Sequence, residues 1–310
     1  GKTTGKLLLS DAYYGRNMTG IKPGAIAKLL VMESLPKPVN FTGGMDPLTY
    51  GGSFSLERIL GTVPVDPDGS AHFEVPANQA LFLIAMDKDD NSIKRMQSFL
   101  TVMPGETLSC IGCHEQRTGT QLTDRPRTAF ARPPSRIEPV AGVPDVFDFP
   151  RDIQPILDRH CVKCHNPDEY KGGVNLTGDR GPMFSIGYVT LTVRKQFVDG
   201  RNRAQSNYAP YSLGAAASPI MKKLAGAHHD VKFSPAEIKM IRFWIEDAAT
   251  YPGTYAALGT GAIGGYQVNE QIINNGNTGA VSNNPTSPTV VTLTASYEIT
   301  SITTYHWNDG

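Results

Sequence analysis

Apolar positions in the first third of the chain occur in short runs that are separated by turn-forming residues. Residues 26–32 and 80–86 are two such runs, and Pro, Asn or Asp residues flank each of them. Runs of this length between turn signals are typical of β-strands. Residues 61–75 contain a further pair of strand-like stretches around Asp68–Gly69, which predicts a β-hairpin. We therefore expect a β-rich, sandwich-like domain over residues 1–120.

The spacing of apolar positions changes in residues 148–258, which we predict to be α-helical. Residues 151–159 repeat apolar positions at helical intervals and lead directly into Cys161. A second helix is predicted from Ser234, which is the N-cap, with Pro235 in the first turn and Glu237 completing a capping box. We expect its core-facing residues to be Ile238, Ile241, Phe243 and Ile245.

Three further segments complete the predicted domain order. Residues 121–147 are rich in Pro, Arg and Thr, which indicates a semi-rigid linker. Residues 259–288 are rich in Gly, Asn, Ser and Thr, as in a flexible tether, and residues 289–310 alternate like β-strands. Two strands alone are barely stable, so we expect them to pair with the rest of the chain, with a second copy or with a further domain. The fold class is therefore α+β and multidomain.

The composition excludes several kinds of partner. The chain of 310 residues carries 29 basic and 29 acidic side chains, so its charge does not favour nucleic acid or an anionic membrane surface. No apolar run reaches the roughly 18 residues that a membrane span requires. The acidic stretch 87–91 lacks the pattern of a calcium-binding EF-hand, and we interpret it as a solvated turn.

All four cysteines belong to two copies of the pattern C-x-x-C-H, which is typical of c-type haem attachment. Two thiols three positions apart can lie on one face of a helical turn and form thioether bonds to one haem. The histidine that follows supplies an axial nitrogen to the iron. We therefore predict two covalently bound haem c groups. The attachment and proximal residues are Cys110, Cys113 and His114 for the first haem, and Cys161, Cys164 and His165 for the second.

Three other interpretations of these cysteines are less favoured. The knuckles of a zinc ribbon are normally about 15–20 residues apart, much closer than these two motifs, and each motif here has its own histidine. A thioredoxin-like pair does not require that histidine. Four cysteines are too few for a disulfide scaffold in a chain of this length. Because haem attachment takes place outside the cytoplasm, we expect a periplasmic or extracellular protein.

The remaining axial ligands are less well defined by the sequence. For the second haem we favour His228 over His229 and Met221, although a His-His-Asp loop that only caps the following helix is an alternative. His160 is expected at the surface. For the first haem, His72 and Met96 are weak candidates, and packing is the favoured role of both. Without a sixth ligand the first haem would be open to a small molecule.

Several stretches resemble the hydrazine synthase alpha-subunit family and its relatives: residues 61–77, 95–115, 148–166 and 226–255. The resemblance covers roughly residues 1–258. It implies a β-rich middle domain with one haem and a cytochrome c domain with a second, bis-histidine haem, which supports His165 and His228 as an axial pair. The family usually carries a β-propeller upstream, so this chain is expected to be a short version or a piece of such a protein.

The resemblance supports a prediction of the fold more directly than a prediction of the activity. In the family the first haem takes a tyrosine four residues after the motif histidine, which itself turns to zinc, whereas this chain has Thr118 at that position. Ordinary ligation by His114 is therefore expected. The partner subunits that complete the enzyme are not visible in this sequence.

Two functional hypotheses follow. The favoured one is a di-haem cytochrome that transfers electrons between redox partner proteins. The alternative is a hydrazine synthase-like haem enzyme, in which an open first haem acts on a small nitrogen or oxygen compound and the second haem relays electrons. Glu115 is the nearest acid–base residue to the first motif, and it could equally be a surface charge. An assembly role through pairing of the C-terminal strands, including self-association, is compatible with either.

Overall fold

The computed structural model describes residues 2–37, 47–53, 55–113, 118, 126–179, 181, 183–200, 207–226 and 228–255. The chain divides into two units, 1–266 and 267–310, and every element described below lies in the first. The predicted tether over 259–288 and the predicted strands over 289–310 lie outside the described residues.

In the part of the chain that the structure describes, seven strands form two sheets. The first sheet has the order β4-β1-β7 and the second has the order β3-β2-β5-β6. Pairing is antiparallel except between β1 and β7, which run parallel. The strands are β1 (Thr4–Asp11), β2 (Lys28–Ser34), β3 (Glu57–Pro64), β4 (Ala71–Pro76), β5 (Leu81–Met86), β6 (Ser92–Arg95) and β7 (Thr107–Gly112).

The helices follow the sheets in the chain. The longest helix in the described ranges is α5, and a short π-helical turn at Phe149–Ile153 leads directly into α1. The helices are α1 (Gln154–His160), α2 (Ile186–Val193), α3 (Gly214–Ala217), α4 (Pro219–Leu224) and α5 (Pro235–Glu246). None of the helices in the described ranges has the length and apolar character needed to cross a membrane.

One apolar core lies between the two sheets. Leu7 and Phe73 from the first sheet pack with Val31 and Val63 from the second, and all four are almost completely buried. The alternation of buried and exposed positions along β1 and β4 shows that only one face of the first sheet is covered. The prediction of a β-rich N-terminal part is therefore confirmed.

The second sheet is buried on both of its faces. Along β2, Leu29 and Val31 face the first sheet, whereas Leu30 and Met32 pack into a core with aromatic residues of the helical part such as Trp244. This double burial explains why β2 and β5 are continuous apolar runs instead of alternating ones. The helices therefore share their main core with a sheet.

The predicted hairpin around Asp68–Gly69 is wrong in one respect. The turn forms, since the amide of Gly69 donates to the carbonyl of Asp66 at 2.8 Å. However, β3 pairs with β2 and β4 pairs with β1, so the strands on either side of the turn enter different sheets. Alternating apolar residues on both strands favour burial in the core between the sheets over pairing with each other.

Residues 126–147, most of the predicted linker, run along the edges of both sheets. Glu138 exchanges backbone hydrogen bonds with Thr62 of β3, and the amide of Ser135 donates to the carbonyl of His72 on β4. The approach requires a glycine at position 61, because a Cβ there would lie 2.2 Å from the carbonyl oxygen of Glu138. The segment covers backbone groups that edge strands leave unpaired. The division of the chain into domains stays a prediction.

Helix α5 begins as its sequence indicates. The hydroxyl of Ser234 accepts from the amide of Glu237, and the carboxylate of Glu237 accepts from the amide of Ser234 at 2.8 Å, which forms a capping box. Three of the four predicted core residues are buried, and Ile238 is half-buried. Trp244 is also fully buried, and its indole nitrogen donates to the carbonyl of Thr250.

Candidate functional site

The second cysteine motif lies in a turn at the end of α1. Cys161 is the C-cap of this helix, and its amide donates to the carbonyl of Leu157 at 2.7 Å. The amides of Cys164 and His165 then both donate to the carbonyl of Cys161, at 3.1 and 3.0 Å. The two thiols are therefore separated by one tight turn of backbone, as the sequence predicts.

The His165 ring is held by the loop that follows it. Its Nδ1 lies 3.0 Å from the carbonyl oxygen of Lys171, and the amide of Lys171 donates back to the carbonyl of Cys164. A carbonyl oxygen can only accept, so Nδ1 carries the proton and Nε2 has a lone pair available for a metal. A backbone carbonyl behind a ligating histidine is the usual way in which proteins orient such a ring.

His228 lies opposite His165, as proposed for an axial pair. The two ring centroids are 5.8 Å apart and the ring planes differ by only 16°. His229 contacts His228 edge-on, with centroids 4.5 Å apart. Burial lowers the pKa of His228, and the neighbouring His229 and His165 lower it further, which favours the neutral imidazole that binds metals.

Contacts between α1 and α5 position the His228 loop. The ring of His160 packs on Phe233 with centroids 4.6 Å apart, and its Nε2 lies 2.9 Å from a carboxylate oxygen of Glu237. Arg159 pairs with the same carboxylate. These contacts fix the start of α5 against the end of α1, so the loop before α5 returns to the motif. The expected surface position of His160 is therefore wrong, since its side chain is only 18% exposed.

The spacing of the His165 and His228 rings limits which groups they could bind. Metal–imidazole bonds are about 2.0–2.1 Å long, so two imidazoles on opposite sides of one ion have centroids about 6 Å apart. The centroid separation of His165 and His228, 5.8 Å, is close to this value. In the described ranges, no group of three or more His, Cys, Asp or Glu side chains could hold a metal ion. Two facing imidazoles therefore suit a group that brings its other ligands with it, as a porphyrin does.

The thiols of the second motif are reduced, since no disulfide joins Cys161 to Cys164. Burial raises the pKa of Cys161 to about 11, and Asp158 and Cys164 add to the shift. Cys161 packs against the core of the helical part together with Val162 and Val174. An apolar ring attached there would contact this apolar surface.

The first motif has a different backbone. Cys110 lies in β7, where it pairs with Leu9 of the parallel strand β1 and packs on the core between the sheets. Cys113 follows the end of β7, and its amide donates to the carbonyl of Tyr14 at 2.8 Å. The expected helical turn is therefore absent from Cys110–Gly112, because strand pairing with β1 fixes an extended backbone. His114 and Glu115 lie outside the described residues.

The structure separates the candidate ligands of the first haem from its cysteines. His72 faces away from the core between the sheets, next to Leu8, whereas Cys110 faces that core. The Nδ1 of His72 lies 3.2 Å from the carbonyl oxygen of Arg132. Met96 packs on the opposite core, the one shared with the helices, as does Met221 of α4. The structure thus shows core packing for the two methionines and a contact with a backbone carbonyl for His72, and their roles as ligands stay predictions.

Two contributors to the second site could not be identified from the sequence. The Lys171 carbonyl is a backbone group, and no side-chain pattern marks it. Glu237 was identified only as part of a capping box, whereas its carboxylate also binds His160 and Arg159 beside the motif. The position of His160 directly before Cys161 was the one available signal.

Comparisons with known proteins agree with the resemblance seen in the sequence. A sequence model described as the hydrazine synthase alpha subunit middle domain matches residues 40–115, which include the first motif. The solved structure of hydrazine synthase from Kuenenia stuttgartiensis is similar in fold, with a TM-score of 0.57 and 17% identity. The alignment covers 82% of this chain and 44% of that chain, so this chain spans less than half of that protein. No curated protein matches the sequence. The match over residues 40–115 therefore supports a hydrazine synthase alpha-like family for this chain.

Proposed function

We propose that this protein is a di-haem c-type cytochrome that transfers electrons between extracytoplasmic redox partner proteins. The observation that carries the proposal is the pair of facing imidazoles of His165 and His228, with the Nδ1 of His165 held by a backbone carbonyl. Cys161 and Cys164 would attach the haem of this site. Cys110 and Cys113 would attach the other, with His114 as its proximal ligand.

The residues of the second site favour a relay over a reaction centre. A haem supplies a one-electron redox centre whose axial ligands help to set its potential. His165 would occupy one axial position in a fixed orientation, because its Nδ1 proton is used by the Lys171 carbonyl. His228 would occupy the other, so no axial position would remain for a substrate. Haem attachment outside the cytoplasm is the basis for proposing an extracytoplasmic location.

Mass measurement and spectroscopy of the protein produced in a host that attaches haem test this proposal. We expect a mass increase equal to two haem groups, and a low-spin signal from the second haem. His228→Ala should convert that haem to a form that binds carbon monoxide, whereas His229→Ala should leave it low-spin. A chain without added haem, or with zinc at the cysteines, would disprove the proposal.

A second candidate is an enzyme at the first haem. The observation that favours it is the match to the hydrazine synthase middle domain, which ends at residue 115 and therefore includes the first motif. In this case the first haem would lack a protein sixth ligand and would act on a small nitrogen or oxygen compound, with the second haem as its relay. Rapid binding of carbon monoxide to one haem of the unmodified protein would support this candidate. Two low-spin, unreactive irons would exclude it.

A further inference from the structure

Lys94 is a buried lysine on β6, the edge strand of the second sheet. The residue is only 4% exposed, although lysine is almost never buried without a charged partner. Its ammonium donates to the backbone carbonyls of Asn17, at 3.1 Å, and of Tyr208. Among the residues that the structure describes, no carboxylate lies within ion-pair distance of it. Its hydrogen-bond partners among the described residues are therefore two neutral carbonyl oxygens.

The turn that Lys94 holds also contacts the first motif. The amide of Cys113 donates to Tyr14, three residues before Asn17. A Cβ on Gly15 would lie 1.8 Å from the carbonyl oxygen of Cys113, so the two backbones touch at this point. One end of the turn thus packs on Cys113 and the other end binds the Lys94 ammonium.

A segment from the helical part of the chain closes over the same place. Tyr208 accepts from Lys94, the amide of Tyr211 donates to the carbonyl of Ile93, and the Asn17 amide group donates to the carbonyl of Asn207. Residues 207–211 therefore cover the edge of β6 and shield the ammonium from water. Inside such a shielded place, charge–charge interactions are stronger than in water.

Residues in and beside the 14–17 turn also affect the pKa of Lys94. Burial lowers the pKa, Cys113 acts against this lowering, and Arg16 adds to it. The geometric link between the ammonium and the first motif is the 14–17 turn, which contacts both of them.

We propose that Lys94 is a positioning residue for the first haem, which it serves in two ways. It ties the 207–211 segment to the 14–17 turn that packs on Cys113, and it places a fixed positive charge at the far end of that turn from the group attached there. A nearby positive charge favours the reduced state of that group, which carries one positive charge fewer, so Lys94 raises its reduction potential. This inference rests on the proposed attachment of a haem at Cys110 and Cys113.

Redox titration of the full-length protein with both haems attached tests the proposal. In Lys94→Gln we expect one of the two reduction potentials to fall and the other to stay at its wild-type value. Lys94→Arg should restore the wild-type value because it keeps the charge. Lys88→Gln is the matched control, since Lys88 is an exposed lysine near the same sheet and should shift neither potential.

A second variant covers the case in which Lys94→Gln does not fold. Asn17 is exposed and has a left-handed backbone, with φ of 56°, which aspartate tolerates as well as asparagine does. Asn17→Asp adds a negative charge to the turn that the ammonium binds and removes the amide donor to the carbonyl of Asn207, and we expect a smaller fall of the same potential. Unchanged potentials in Asn17→Asp and in any folded Lys94→Gln protein would overturn the inference. Absence of haem from the first motif would instead overturn the proposed function, and mass measurement separates the two outcomes.

Discussion

The two cysteine motifs share the same five-residue pattern, but they differ in secondary structure. The second is a turn at the end of α1, where hydrogen bonds to the Cys161 carbonyl bring Cys164 and His165 back toward the first thiol. The first begins in β7, with Cys110 in a parallel ladder beside Leu9. The C-x-x-C-H pattern therefore predicts what the residues can bind, but it does not predict the secondary structure that presents them.

The surroundings of the two motifs differ as well. The second has a facing imidazole, His228, that a loop between two helices delivers. The first has a buried ammonium, Lys94, that binds two segments of backbone next to Cys113. One motif thus has a facing imidazole, and the other has a charge and close backbone packing nearby. The proposed relay role of the second site and the proposed reactivity of the first are based on this difference.

Helix α5 is the element that links the two regions. Near its start, Glu237 binds His160 next to the second motif. At its end, the buried Glu246 accepts hydrogen bonds from Ser92 of β6, and its carbonyl accepts from Arg95, the neighbour of Lys94. Twelve residues of helix span about 18 Å. The start of α5 therefore contacts the residue before the second motif, and its end contacts β6, the strand that contains Lys94.

The largest expected effect comes from the core that joins the helices to the second sheet. Trp244→Ala removes a fully buried ring and should lower the free energy of unfolding by about 3–5 kcal/mol. Chemical denaturation measures this change. Phe99→Ala is the matched control, because Phe99 is an aromatic residue that is 67% exposed, and it should have little effect. Equal effects of the two variants would show that Trp244 is not part of a common core.

A smaller effect on stability is expected from substitutions of the residue directly before the second cysteine of each motif. This effect should differ between the two motifs. A Cβ on Gly112 would lie 2.0 Å from the carbonyl oxygen of Tyr14. Gly112→Ala should therefore displace the 14–17 turn and destabilise the protein by about 1–3 kcal/mol, as overpacking does. The equivalent residue of the second motif is Lys163, which is exposed, and Lys163→Ala should change stability by less than about 0.5 kcal/mol. Similar results for both variants would contradict the difference in backbone.

The smallest effect is a pH dependence at the start of α5. Burial alone would raise the pKa of Glu237, but hydrogen bonds from Ser234, His160 and Arg159 outweigh it and lower the pKa to about 2. A folded-state pKa below the unfolded-state value adds stability above about pH 4.5, and this stability is lost as the pH falls toward 2. Glu237→Gln should therefore lower stability at pH 7, and its difference from the wild type should shrink in acid.

Urea denaturation at pH 7 and pH 3 measures this difference. The control is Glu169→Gln, because Glu169 is half-exposed and lies on the loop after the second motif. We expect it to behave like the wild type at both pH values. A Glu237→Gln protein with the same pH profile as the wild type would show that this carboxylate does not stabilise the junction of α1 and α5.

The sequence by itself determined the features that depend on neighbouring residues. The capping box of α5, the apolar runs of β2 and β5 and the chemistry of both C-x-x-C-H motifs are local patterns, and each is readable over a few residues. The pairing of His165 with His228 was also accessible, because the family resemblance supports it. By contrast, no local pattern marks the Lys171 carbonyl.

Only the tertiary structure decided which strands pair and which faces are covered. The strands on either side of Asp68–Gly69 enter different sheets, and β7 joins β1 in parallel, because long-range burial outweighs the local preference for a hairpin. The burial of Lys94 depends on segments that are about 80 and 110 residues away in the chain, and packing over such separations leaves no trace in local spacing. The local sequence therefore identifies the residues of the motifs, whereas the packing of distant segments determines which groups surround them.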